Sequence, residues 1–236
     1  MNLRLFAAAI AASCLVATSA ACGAADKAEP LSPLHYLREA EVSPSRLTAP
    51  RAPKDSVALQ REMAHLREVI AAATSERLVQ AKADGENESP SIFDSASGVK
   101  ISTMPTTSRL LTAIGDEADA VIERAKRHFA EPRPYQIDPT LPHCGKGNTT
   151  FRGYPSGHAG IGYSVGWALA GLLPARATQI LARAEDYAFS REVCGVDFHT
   201  DIEASHVIGT VVAERMLADP RLAKTVRDAR RELSEH

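Results

Sequence analysis

The sequence predicts an all-α, single-domain helical bundle, on three observations. Apolar residues recur at helical spacing along most of the chain, and no convincing alternating pattern marks a strand. A length of 236 residues suits one domain with a substantial core. The composition, 44% hydrophobic and 24% charged, is ordinary for a globular protein, and no internal repeat is present. The formal charge of −2 argues against nucleic acid or an anionic membrane as partner, so any bound anion needs a local cluster of cations.

Residues 1–25 read as a cleaved secretory signal peptide: Arg4, then LFAAAIAASCLVATSA, then small residues to Ala25. The apolar run is too short for a comfortable membrane span and lacks a stop-transfer pattern. A lipoprotein acylated at Cys22 is the alternative, although Ser19 replaces the usual aliphatic residue three places earlier. The mature protein is therefore expected in the periplasm or secreted. Residues 26–55, rich in Pro, Ala and Ser, read as an irregular arm with a short helical piece around His35 to Glu39.

The domain proper is expected over 56–236. Leu59, Met63, Leu66 and Ile70 stripe a helix from Ser56. A second covers Ser75 to Ala83, ended by Asp84-Gly85, and Gly85 to Gly98 reads as a polar loop. Leu110, Ile114, Val121, Ala125 and Phe129 stripe a long helix from about Thr107, stopped by Pro132 and Pro134. Residues 135–154 read as a long loop. His158 to Leu173 is apolar on almost every side and holds four glycines, which argues for a buried central helix ended by Pro174. Further helices follow to Ser190, from about Asp201 to Met216, and from about Arg221 to Leu233.

Export governs the cysteines. Cys14 leaves with the leader, and Cys144 and Cys194 remain as a pair in an oxidising compartment. A Cys144–Cys194 disulfide is expected over the alternative of two buried thiols. It would close a ring of about 50 residues, worth about 4 kcal/mol in the chain-entropy model.

Three segments at helix ends carry candidate chemistry. Lys126 sits in a last helical turn, where the helix dipole alone would account for it. Arg133, framed by two prolines, presents a guanidinium in a fixed direction suited to phosphate. In GYPSGH, Ser156 is a good N-cap, Gly157 admits close approach of a ligand, and the first-turn N–H groups form an anion site beside His158. Taken alone, that is also an ordinary helix start. In SREVCGVDFHTD, Arg191 follows a helix end and Asp201 begins the next helix.

Together these segments resemble the bacterial class A non-specific acid phosphatases, within the type 2 phosphatidic-acid phosphatase superfamily. The family pattern is Lys, six residues, Arg-Pro; then Pro-Ser-Gly-His; then Ser-Arg, five residues, His, three residues, Asp. Lys126, Arg133-Pro134, Pro155-Ser156-Gly157-His158, Ser190-Arg191 and Asp201 fit it, and the resemblance runs from about residue 45 to the C-terminus. It implies the helical fold shared with the vanadium haloperoxidases and a phosphomonoester or inorganic phosphate as small-molecule partner. Lys126, Arg133, Ser156, Gly157 and Arg191 would hold the phosphoryl oxygens, and His158 would protonate the leaving alcohol. A histidine oriented by Asp201 would attack phosphorus. No metal or other cofactor is implied, since the cations do a metal's work. The family often forms homo-oligomers, and its lipid phosphatases need several membrane spans that the mature chain lacks.

The pattern breaks at the nucleophile. Five residues after Arg191 this chain has Asp197 in place of histidine, which also counts against haloperoxidase activity. Three readings stay open. Asp197 forms an aspartyl phosphate; His199, two residues on and aimed elsewhere, takes over; or the chain keeps the cage and turns over slowly or not at all, as a phosphate-binding pseudoenzyme. In the last, Asp197 fills the cage as an internal anion. A surface residue left after selection relaxed is the plain alternative for Asp197.

Overall fold

A computed structural model describes residues 30–145, 147 and 150–235, and the signal-peptide and Cys22 expectations lie outside them. Residues from Leu31 onward form one compact unit. Among the described residues there are helices and no strands, as the apolar spacing predicts.

The arm holds one helical turn, α1 (Pro44–Leu47). The helical piece expected at His35 to Glu39 does not form. The backbone N–H groups of His35, Tyr36 and Leu37 instead converge on the Glu117 carboxylate at 2.8–3.0 Å. Glu117 is 1% exposed, and these donors compensate its burial.

Next come α2 (Val57–Ala72) and α3 (Ser75–Gly85). Ser56 and Thr74 cap them, each accepting a first-turn N–H at 3.2 Å. The polar loop expected over Gly85 to Gly98 is partly helical: a 3-10 turn at Pro90–Phe93 runs into α4 (Asp94–Ser97). Phe93 is fully buried, so this segment is pinned to the core. Pro105 opens α5 (Pro105–Phe129), and left-handed Ala130 closes it. The expected long loop 135–154 begins with one turn, α6 (Pro134–Ile137).

The central helix is α7 (Gly157–Leu172), and α5, α8 (Ala177–Val193) and α9 (His199–Leu217) pack around it. Because α7 is enclosed, nearly every side of it is buried, which explains its unbroken apolar run. The final helix, α10 (Ala223–Ser234), seats Val226, Ala229 and Leu233 in the same core. Cys144 and Cys194 are disulfide-bonded. No described helix is long and apolar enough to cross a membrane.

Candidate active site

The three motif segments meet at the N-terminal end of α7. Ser156 caps that helix, its hydroxyl accepting from the Ala159 N–H at 3.4 Å. Gly157 opens the first turn, and a Cβ there would lie 2.9 Å from Lys126 Nζ. Only glycine lets the ammonium approach the helix end this closely. Lys126 lies in the last turn of α5 and is 8% exposed. Burial pushes its ammonium below its ordinary value, and Arg133 adds to this against Asp197, Asp119 and Glu88. Its Nζ donates to Glu123 at 2.9 Å, and Arg152 holds the other oxygen of that carboxylate.

Arg191 does not follow α8 but lies inside its last turn, because that helix runs on to Val193. Arg133 reaches the same point from beyond α5. Both guanidinium groups converge on Asp197, which is 1% exposed. Arg133 Nη1 donates to its Oδ1 at 2.6 Å. The Ser156 hydroxyl donates to Oδ2 at 2.7 Å, and Arg191 Nε approaches the same oxygen at 3.4 Å. Burial alone would raise this carboxyl. Arg133 and Arg191, with Ser156 and Lys126, outweigh it and hold Asp197 below the usual carboxylate range. The segments thus form a cation-lined cage with an ionised carboxylate at its centre.

Asp201 lies in the first turn of α9 and is fully buried. Its Oδ2 accepts the Phe198 N–H at 2.8 Å, and its Oδ1 accepts Arg51 Nε and Nη2 at 2.9 and 2.6 Å. Burial pushes its carboxyl up to about 7, with Asp197 adding to the rise and Arg51 opposing it.

His158 stands on the first turn of α7 with an acceptor at each nitrogen. The Gly85 carbonyl lies 3.0 Å from Nε2 and Glu88 Oε1 lies 2.9 Å from Nδ1. The contact with His158 holds Glu88 below the usual range, with Lys126 and Arg191 contributing. His199 lies outside the cage. Its Nδ1 pairs with Glu192 at 3.0 Å, its Nε2 is 3.7 Å from Glu203, and its ring meets His65 edge-on. Partial burial lowers His199, but Glu192, Glu203 and Glu62 outweigh it and raise the ring above its ordinary value.

Residues 107–221 match the model of the PAP2 superfamily. Every cage residue falls within this matched stretch, whereas Arg51 precedes it. The chain is 33% identical over 118 residues to an acid phosphatase of Zymomonas mobilis, covering 48% of this chain and 44% of that protein. It is 28% identical over 153 residues to a non-specific acid phosphatase of Salmonella typhimurium, covering 61% of this chain and 60% of the relative. To a non-specific acid phosphatase of Providencia stuartii it is 24% identical over 212 residues, 86% of each chain. The matches thus span about half the length of the first two relatives and most of the third.

Sequence reasoning named the residues that converge here but not Arg51, Glu88 or Glu123. Arg51 did carry a signal: Pro50-Arg51-Ala52-Pro53 frames it with prolines much as Pro132 and Pro134 frame Arg133. Glu88 and Glu123 carried none, being ordinary charges in a polar loop and on a helix. Among the described residues no cluster of three His, Cys, Asp or Glu side chains is arranged to hold a metal ion.

Proposed function

We propose that the chain is an exported acid phosphatase that binds phosphate monoesters and hydrolyses them slowly, without a metal, because Asp197 occupies its cage at rest. One observation carries this reading. Two guanidinium groups and a serine hydroxyl, from three separate stretches of sequence, meet on one buried carboxylate. Donors that converge on an anionic side chain also suit a phosphoryl group. Lys126, Arg133, Arg191, Ser156 and the Gly157 N–H would hold that group, and His158 would protonate the departing oxygen. The relatives' names support a phosphomonoester as substrate.

A second reading, a non-catalytic phosphate binder, is favoured by the positions of the histidines. His199 is turned to Glu192, and position 197 offers no imidazole. The two readings separate on two measurements: phosphate and vanadate binding, and aryl phosphate hydrolysis from pH 4 to 7 with chelator present. Asp197→Asn is expected to tighten phosphate binding about tenfold, or 1.4 kcal/mol, because it removes the competing anion. Asp197→His is expected to raise turnover, and turnover only in that variant identifies the binder. If the wild type turns over and Asp197→Asn loses that turnover while keeping phosphate binding, Asp197 is itself the nucleophile. Failure of every variant to bind an oxyanion overturns the phosphate assignment.

A further inference from the structure

Ala49 and Arg51, in the arm, touch all three motif segments. The Arg51 side chain is 1% exposed. Its Nε and Nη2 donate to Asp201 Oδ1, and its Nη1 donates to the Pro132 carbonyl at 2.7 Å. Pro132 immediately precedes Arg133. The guanidinium lies over the rings of Phe198 and Tyr154, at 5.1 and 5.6 Å from their centroids. Phe198 follows Asp197 directly, and Tyr154 stands two residues before Ser156. The Tyr154 hydroxyl in turn donates to the Ala49 carbonyl.

We infer that Arg51 is a positioning residue for the cage, one guanidinium fixing the backbone beside Arg133, Ser156 and Asp197 at once. The chemistry requires arginine. Its planar fork donates in fixed directions while its face stacks on aromatic rings, and a compact ammonium cannot hold that whole geometry at once. Asp201 completes the clasp, because the carboxylate that receives Arg51 also holds the Phe198 N–H. The inference rests on the cage reading above.

The test compares Arg51→Met and Arg51→Lys in the full chain, at a temperature where circular dichroism shows both folded. Inorganic phosphate affinity is measured in the wild-type and Asp197→Asn backgrounds, and amide hydrogen exchange is followed residue by residue. Displacing cage groups by an ångström is expected to cost on the order of 10²-fold in kcat/KM where turnover is measurable. Arg51→Met is expected to weaken phosphate binding at least about tenfold and to speed exchange at the Phe198 and Asp201 amides, leaving α5 and the middle of α7 protected. Arg51→Lys recovers part of both effects, and added methylguanidinium recovers part of the phosphate affinity in Arg51→Met. Unchanged affinity and exchange in folded Arg51→Met overturn the inference, as does faster exchange spread evenly over the core. If Arg51→Met does not fold, Arg51→Lys decides by the same local-against-global comparison. If no protein binds phosphate, the phosphate reading falls, and exchange at Phe198 still decides the part played by Arg51.

Discussion

A carboxylate at position 197 changes the work of its neighbours. Arg133 and Arg191, which would receive a substrate's charge in the proposed function, are paired instead with a side chain. Asp201, which the family resemblance assigns to orienting a histidine, pairs with Arg51 instead. The two carboxylates then titrate in opposite senses. An unfolded aspartate titrates near 4, whereas folded Asp201 does so at about 7. Between these values the folded chain keeps a proton that the unfolded chain has lost. The contribution of Asp201 is therefore full below about pH 4 and is lost as pH rises towards 7. Asp197 is depressed, so its contribution is present above about pH 4 and is lost as pH falls through its folded value. His199 is raised, and its contribution fades as pH climbs above about 6.5. Thermal melts from pH 3 to 8 are expected to place the highest Tm on the acid side of neutrality. Asp201→Asn should lower Tm throughout, since it strands the buried Arg51, and should flatten the slope between pH 4 and 7. A slope unchanged by Asp201→Asn would assign the pH dependence to other groups.

At the scale of elements, glycine sets how closely α7 meets its neighbours. A Cβ on Gly209 of α9 would fall 2.7 Å from the Gly160 carbonyl oxygen and 2.9 Å from the Ser164 nitrogen of α7. Both are backbone atoms and cannot swing aside. Gly209→Ala is expected to cost about 1–3 kcal/mol by urea unfolding, as overpacking does. Gly171→Ala, where the nearest atom is Leu217 Cδ1 at 3.7 Å, should be neutral or stabilising by about 0.5–1 kcal/mol. Equal effects at the two positions would show that α7 and α9 separate freely. Elements of this kind were legible in the sequence. The stripe of α2, the all-round apolarity of α7 and the cap at Ser156 each follow from local rules. Local rules failed where a distant partner overrides them. Backbone groups at His35 to Leu37 serve Glu117, some 80 residues away, rather than a helix. Phe93 anchors a segment whose composition reads as solvated. The cage residues were legible because they stand at the fixed spacings of motifs that resemble a known family's, whereas Arg51 is tied to Asp201 across 150 residues with no spacing to reveal it.

Across the whole molecule, two long-range ties hold the motif segments together. The disulfide joins the loop before Gly153 to the end of α8, three residues from both Arg191 and Asp197. Replacing both cysteines with serine is expected to cost about 2–5 kcal/mol in stability, read by denaturant titration, and to weaken phosphate binding more than it perturbs helix content. Equal phosphate affinity in the folded double-serine protein would confine the crosslink to stability. The other tie is the arm, whose partners Glu117 and Asp201 lie in α5 and α9. The arm is made before either acceptor, Glu117 emerging about half-way through the chain and Asp201 only after most of it. Until then Arg51 and the amides of residues 35–37 stay in water, and closing loops this long slows the final step of folding. A stretch made early is thus among the last to settle, and any factor that escorts the growing polypeptide meets it still open.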